Sequence, residues 1–215
     1  MSSLLEIYYQ SALDLKLPVR YFSASNCLEI LLGNTSYFFI GRMVPLNFCS
    51  CYLLAQDKNT VHFLLKEAEI YNSESFYVDK DELPQREDLR EYSVLMLKKR
   101  IIGIVEHVEV KGKRFVVSRD RKMNHENAII LEEIASVLNL DWLCLTIVCA
   151  EIDSPFYNQE WYITEMNTSP DITLYEQPDK GNKINVSRKL LKHLIHRHLF
   201  AYTYHRLAHY FSLEH

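Results

Sequence analysis

The chain has 215 residues, 48% of them hydrophobic and 24% charged, with a formal net charge of −4. That is enough for one large domain or two small lobes with a real core, and the charge gives no electrostatic case for nucleic acid as a partner. No basic-then-apolar leader and no apolar run of membrane-spanning length is present, so the expectation is a cytoplasmic protein that does not cross a membrane.

The first element is "SSLLEIYYQSALDL", whose Leu4, Leu5, Tyr8, Tyr9 and Ala12 share one helical face. Three short strands follow, "VRYFSA", "CLEILL" and "SYFFIG", the last two joined by the tight-turn signal "GNT". After a loop with Pro45, "DKNTVHFLLKEAEI" reads as a helix capped by Asp57, with Val61, Leu64, Leu65 and Ala68 as its buried stripe. A short strand and a charged, proline-containing connection, "SFYVDKDELPQREDLR", lead into the longest β region. There "EYSVLMLKKRIIGIVEHVEVKGKRFVVSR" predicts two or three antiparallel strands with turns at "LKKR" and "VKGK". Then come a helix, "NHENAIILEEIASVLNL", two apolar strands, "DWLCLTIVCAEI" and "EWYITEM", a loop to about Asn182, and a long closing helix. The expected class is α+β, a mostly antiparallel sheet with flanking helices and a long C-terminal helix.

Five cysteines lack any framework spacing and read as reduced thiols; the "CSC" of Cys49 and Cys51 is too close for most structural zinc pairs. His205 and His209 have the i,i+4 spacing of a metal pair, but no "HExxH" accompanies them, and the polar face of an amphipathic helix is the preferred reading. Phe200, Tyr202, Tyr204, Tyr210 and Phe211 make the same helix aromatic enough to need burial, which points to a homodimer as one expectation. The terminal "LEH", residues 213–215, reads as the remnant of a purification tag. Nothing resembles a Walker loop, "GxGxxG" or "GxSxG", and the five glycines leave little with which to cradle a phosphate. Nine basic residues lie between Lys98 and Lys122 with three acids among them; Lys98, Lys99, Lys113 and Arg114 are the candidates for a phosphate or a small acidic or amino-acid-like ligand. The alternative is an ordinary charged surface on hairpin turns.

The remaining motif is "WYITEMNTSPDI". Residues i and i+2 of a strand share a face, so Glu165 and Asn167 project together from a strand end, and hard oxygens so placed suit Mg2+. A strand cap and turn start is the competing reading.

Together, "LNLDWLCLTIV", "EWYITEMNTSPDI" and "QPDKGNKINVSRKLLKHL" resemble the last third of the ATP-grasp ligases, such as cyanophycin synthetase, glutathione synthetase and the ribosomal-protein glutamate ligases. Upstream, "EYSVLMLKKRIIGIVEHV" is similar to their "EYRVLVLGGKVVGAVER" hairpin, and "NFCSCYLLAQDKNTVHFLLKEAEI" to the segment before their nucleotide lobe. The resemblance implies a division into a pre-ATP-grasp-like segment (1–56), a shortened connection (57–90) and a C-lobe-like domain (91–212). It also implies ATP and Mg2+ as cofactors and a reaction that joins a carboxylate to an amine through an acyl phosphate, with Glu165 and Asn167 as metal ligands.

Three departures shape the expectation. In the family a nucleotide-gripping lobe stands between the segments matched here by Lys58 and Tyr92, where this chain has only residues 59–91. The metal aspartate is matched by Thr146, a third candidate ligand beside Glu165 and Asn167, whose hydroxyl can coordinate but does not supply the anionic charge. The hairpin arginines are matched by Ser93 and His107, leaving Arg119, Arg121 and His107 as candidates for their work. The expected function is a degenerate ATP-grasp-like protein without ordinary ligase activity, serving as a binding or partner-dependent scaffold. The alternative is a minimal or split ATP/Mg-dependent carboxylate–amine ligase whose missing lobe comes from a partner chain.

Overall fold

The computed structural model describes residues 3–70, 77–84, 86, 88–119, 123–198 and 203. The chain divides into two compact units: one from the residues up to Pro45 together with those from Asn185 onward, the other from Leu46 to Ile184. The division cuts the chain differently from the sequence boundaries, because the closing helix joins the N-terminal segment rather than the region before it.

In the first unit, α1 (Ser3–Asp14) buries Leu4, Leu5, Tyr8 and Ala12. Three antiparallel strands, β1 (Val19–Phe22), β2 (Cys27–Leu32) and β3 (Thr35–Ile40), pair in chain order. The Tyr8 ring meets Phe39 of β3 at 4.9 Å between centroids. The closing helix α6 (Val186–Arg197) buries Val186, Leu190, Leu191, Leu194 and Ile195, a stripe with the 3.6-residue period. Ser11 and Ser187 join α1 to α6 through hydroxyls 2.7 Å apart. Beyond it, the aromatic residues 200, 202, 204, 210 and 211, and His205 and His209, lie outside the described residues.

The second unit is built on a five-stranded antiparallel sheet in the order β6-β5-β4-β7-β8, with β4 at Arg90–Leu97, β5 at Arg100–Val110, β6 at Lys113–Ser118, β7 at Trp142–Cys149 and β8 at Trp161–Asn167. Two short helices precede it: α2 (Cys49–Leu54), not expected from sequence, and α3 (Lys58–Glu67), whose Asp57 carboxylate accepts from the Asn59 and Thr60 amides. The helix α4 (His125–Val137), capped by Asn124, packs Leu131, Ile134 and Ala135 onto one face of the sheet. There they meet Tyr92, Val94, Met96, Ile104, Leu143, Leu145, Ile147, Ile163 and Met166 in one apolar core.

Ile163 and Met166 both face that core, although three positions apart. Strict alternation would place them on opposite faces. The register explains it: Thr146 pairs with Glu165 while Ile147 pairs with Ile163, leaving Thr164 as an extra residue in β8. This bulge changes the phase of the strand, so Glu165 and Asn167 point away from the core. The same device occurs in β5, where Ile102 is the extra residue between Ile101, opposite Met96, and Gly103, opposite Leu95.

All five cysteines are free, with Cys49 exposed, Cys51 half-buried, and Cys27, Cys144 and Cys149 buried. Among the described residues, no helix is long and apolar enough to cross a membrane.

Deleting Thr164 removes the extra residue and keeps both phases, whereas deleting Met166 empties a core position and changes the phase beyond it. By chemical denaturation the Met166 deletion is expected to cost about 2 kcal/mol or more beyond the Thr164 deletion.

Candidate functional site

The sheet face opposite α4 is crossed by rows of register partners. One runs Glu165–Thr146–Ser93–Val105–Ser118 through all five strands. Thr146, Ser93 and Ser118 are buried hydroxyl residues, while Glu165, on an edge strand, is exposed. The row toward the strand end holds Asn167, Cys144, Leu95 and Gly103. The row on the other side holds Val148, Glu91, His107 and Val116. Glu165, Asn167 and Thr146, separated in sequence by the loop between β7 and β8, are therefore neighbours on one surface.

Asn167 Nδ2 donates to Glu165 Oε1 at 3.0 Å, and Asn167 Oδ1 accepts the Ser169 amide at 2.8 Å. The chain then crosses the sheet. The short helix α5 (Thr173–Glu176) places the buried Tyr175 against Gly103, where an added Cβ would lie 3.0 Å from the ring. Tyr175 Oη lies 3.3 Å from Cys144 Sγ, and burial pushes that thiol up to about 12. The segment ends on the opposite edge of the sheet, where the Asp179 and Lys180 amides donate to the Val116 carbonyl and the Ser118 amide to the Lys180 carbonyl. Gly181 sits there at φ +86°, and a Cβ on it would stand 2.8 Å from the Ser118 carbonyl oxygen. The chain's own residues 168–184 thus lie over part of the polar face, at Cys144, Gly103 and Ser118.

Ser93 and His107 stand where the family resemblance led to an expectation of arginines, and they hydrogen-bond to each other, Ser93 Oγ to His107 Nε2, at 2.8 Å. Burial, reinforced by the Arg114 charge and opposed by Glu91, holds the imidazole below its ordinary value. Glu91 itself accepts from Lys80 at 2.6 Å and also pairs with Arg114. Burial opposes its ionisation, but the Lys80 hydrogen bond and the two positive charges outweigh that and keep it below the usual carboxylate value. Neither Lys80 nor Glu91 was singled out from the sequence, where they read as members of a charged connection and a strand start.

The basic candidates do not converge. Lys98 and Lys99 form the two-residue turn between β4 and β5, both at positive φ. Lys113 and Arg114 open β6 after the turn at the other end of β5. At ~3.3 Å per residue, the eleven residues of β5 set the two turns roughly 33 Å apart. Lys99 donates to Asn139 at 3.2 Å and Arg114 is held by Glu91. Arg119 forms an ion pair with Glu106, whose side chain, next but one to Ile104, lies on the core side of β5. Arg119 is therefore turned away from Glu165, and Arg121 lies outside the described residues.

Two predictions follow from this geometry. A histidine whose folded value is depressed contributes stability that is complete above its unfolded value of ~6.5 and is lost as pH falls toward the folded value. The chain should therefore lose stability as pH drops below ~6.5, and His107→Gln should flatten that part of the profile. Gly181→Ala should cost at least about 1 kcal/mol in denaturant titration, from the left-handed backbone and the clash with Ser118.

No model of a known protein family matches the sequence, and no curated protein matches it. Among solved structures, a bifunctional glutathione synthetase from Pasteurella multocida superposes with a TM-score of 0.71 at 9% identity, covering 89% of this chain and 44% of that one. The ATP-grasp ligase PsnB, in complex with a minimal precursor, Mg and ADP, matches 50% of this chain and 32% of its own, with a TM-score of 0.40 at 14% identity. The chain spans under half the length of the glutathione synthetase chain. It has an ATP-grasp-like fold, truncated relative to that structure.

Proposed function

We propose that this chain is an ATP-grasp-like scaffold that does not carry out ATP-dependent ligation alone, and that its polar sheet face serves to bind a partner or a small acidic or amino-acid-like ligand. One observation carries the reading. Only residues 68–89 connect α3 to β4, and their described part lies along the sheet instead of forming a lobe over it. Tyr77 and Val78 pair with Ile163 at the outer edge of β8. Asp79 is held by Lys58, and Lys80 by Glu91. Adenine and phosphates need donors on both sides, and the described residues of this connection offer none above the face. The covering of part of the face by residues 168–184, and the dispersal of the basic turns to opposite ends of β5, support the same reading.

A split ligase, in which another chain supplies the lobe, is the second reading; the placing of Glu165 on the face opposite the apolar core favours it. Magnesium-dependent titration with ATP tests the first reading. No saturable binding in the micromolar range is expected for the chain alone, and ADP release with amino-acid mixtures should be equal in the wild type and Glu165→Ala. Micromolar, magnesium-dependent ATP binding would overturn the scaffold reading. ADP release abolished by Glu165→Ala would favour the ligase.

A further inference from the structure

The donors at the end of β8 do not fit a magnesium ion. Such an ion takes oxygens directed at one point in near-octahedral geometry. Glu165 is the only carboxylate in its row, and the residue facing it across the strand pair, Thr146, is a hydroxyl that brings no charge. The second presumptive oxygen is turned elsewhere: Asn167 Oδ1 takes the Ser169 amide at 2.8 Å, and the Asn167 amide nitrogen, not its oxygen, lies 3.0 Å from Glu165 Oε1. Reversing the amide would set N–H against N–H at Ser169 and oxygen against carboxylate at Glu165, so the partners on both sides fix its orientation. Among the described residues, no three His, Cys, Asp or Glu side chains gather into a metal-binding group.

We propose that Glu165 and Asn167 form a clasp instead of a cation site. Asn167 is a positioning residue: one end of its amide fixes the Glu165 carboxylate, and the other starts the turn at Ser169. From that turn, residues 168–184 set off across the sheet, with Thr168, Ile172 and Tyr175 buried along the way. The motif therefore shapes the covering segment and leaves Glu165 Oε2 as an acceptor for a hydrogen-bond donor, not as half of a chelate. This inference concerns the cation alone and stands apart from whether a nucleotide reaches the face.

The test uses the full chain and Mn2+ as the probe, read by paramagnetic broadening of backbone amides. The wild type is expected to show no saturable broadening at residues 163–169 at about millimolar Mn2+, the weak end of biological affinities for hard divalent cations. Asn167→Asp, which supplies a second carboxylate beside the first, should gain saturable broadening there and a Mn2+-dependent rise in Tm. In Asn167→Ala the Ser169 amide should exchange with solvent at least tenfold faster than in the wild type. Saturable Mn2+ broadening in the wild type that disappears in Glu165→Gln would overturn the clasp, as would a wild-type Ser169 amide that exchanges at the unprotected rate. If the variants do not fold, those two wild-type measurements decide. Mn2+ binding without ATP binding would remove the clasp and leave the scaffold reading standing, while ATP binding without a Mn2+ site would do the reverse.

Discussion

A single extra residue in an edge strand decides what the second unit can present to solvent. Thr164 lets β8 spend Ile163 and Met166 on the apolar core and still turn Glu165 and Asn167 to the opposite face. Without such a bulge, a strand that buries Ile163 would also direct Glu165 into the core, where an unpaired carboxylate costs several kcal/mol. The matching bulge at Ile102 does the same for β5, setting Gly103 under Tyr175 while Ile101 and Ile104 serve the core. The two bulges therefore absorb Thr164 and Ile102 and keep the apolar and polar faces of their strands in phase with the neighbouring strands.

The character of the polar face follows from what its central positions carry. Across β7, β4 and β5 the central row of this face offers Thr146, Ser93 and Val105, with His107 bonded to Ser93 one row away. The charged groups that do lie near are committed to each other: Lys80 and Arg114 to Glu91. In each pair the cation is largely exposed and the carboxylate mostly buried, so solvent screens the attraction only in part. Their effect here is to neutralise the cations that a phosphate would need.

Much of this was legible in the sequence, and the reasons for the rest are physical. The strands β4 to β8, the hairpin turns at Lys98–Lys99 and Lys111–Gly112, and the cap Asp57 follow from alternation, turn chemistry and a short polar side chain before an apolar stripe. The placing of Glu165 and Asn167 on one face was right by i,i+2 logic, and the spacing of Ile163 and Met166 by three was the readable trace of the bulge. The helices α2 and α5, six and four residues long, are too short for a periodic signal. Arg119 is not recoverable from spacing, because its direction depends on Glu106 in the neighbouring strand. The joining of α6 to the N-terminal segment is a long-range packing choice, expressed through pairs such as Ser11 and Ser187 that no local pattern reveals.

The segment from Thr168 to Ile184 starts on β8 and finishes against β6, the two outermost strands of the sheet. It is a strap across the whole width. The meander β4-β5-β6 and the hairpin β7-β8 can each form from contacts close in sequence, but the strap can seat only after β4 and β7 have joined them. Once seated, it denies the sheet an independent edge: fraying β6 means releasing Asp179 and Lys180, and with them the ordered path back to Tyr175 and Asn167. The second unit should therefore open as a single cooperative body, not strand by strand from its rim.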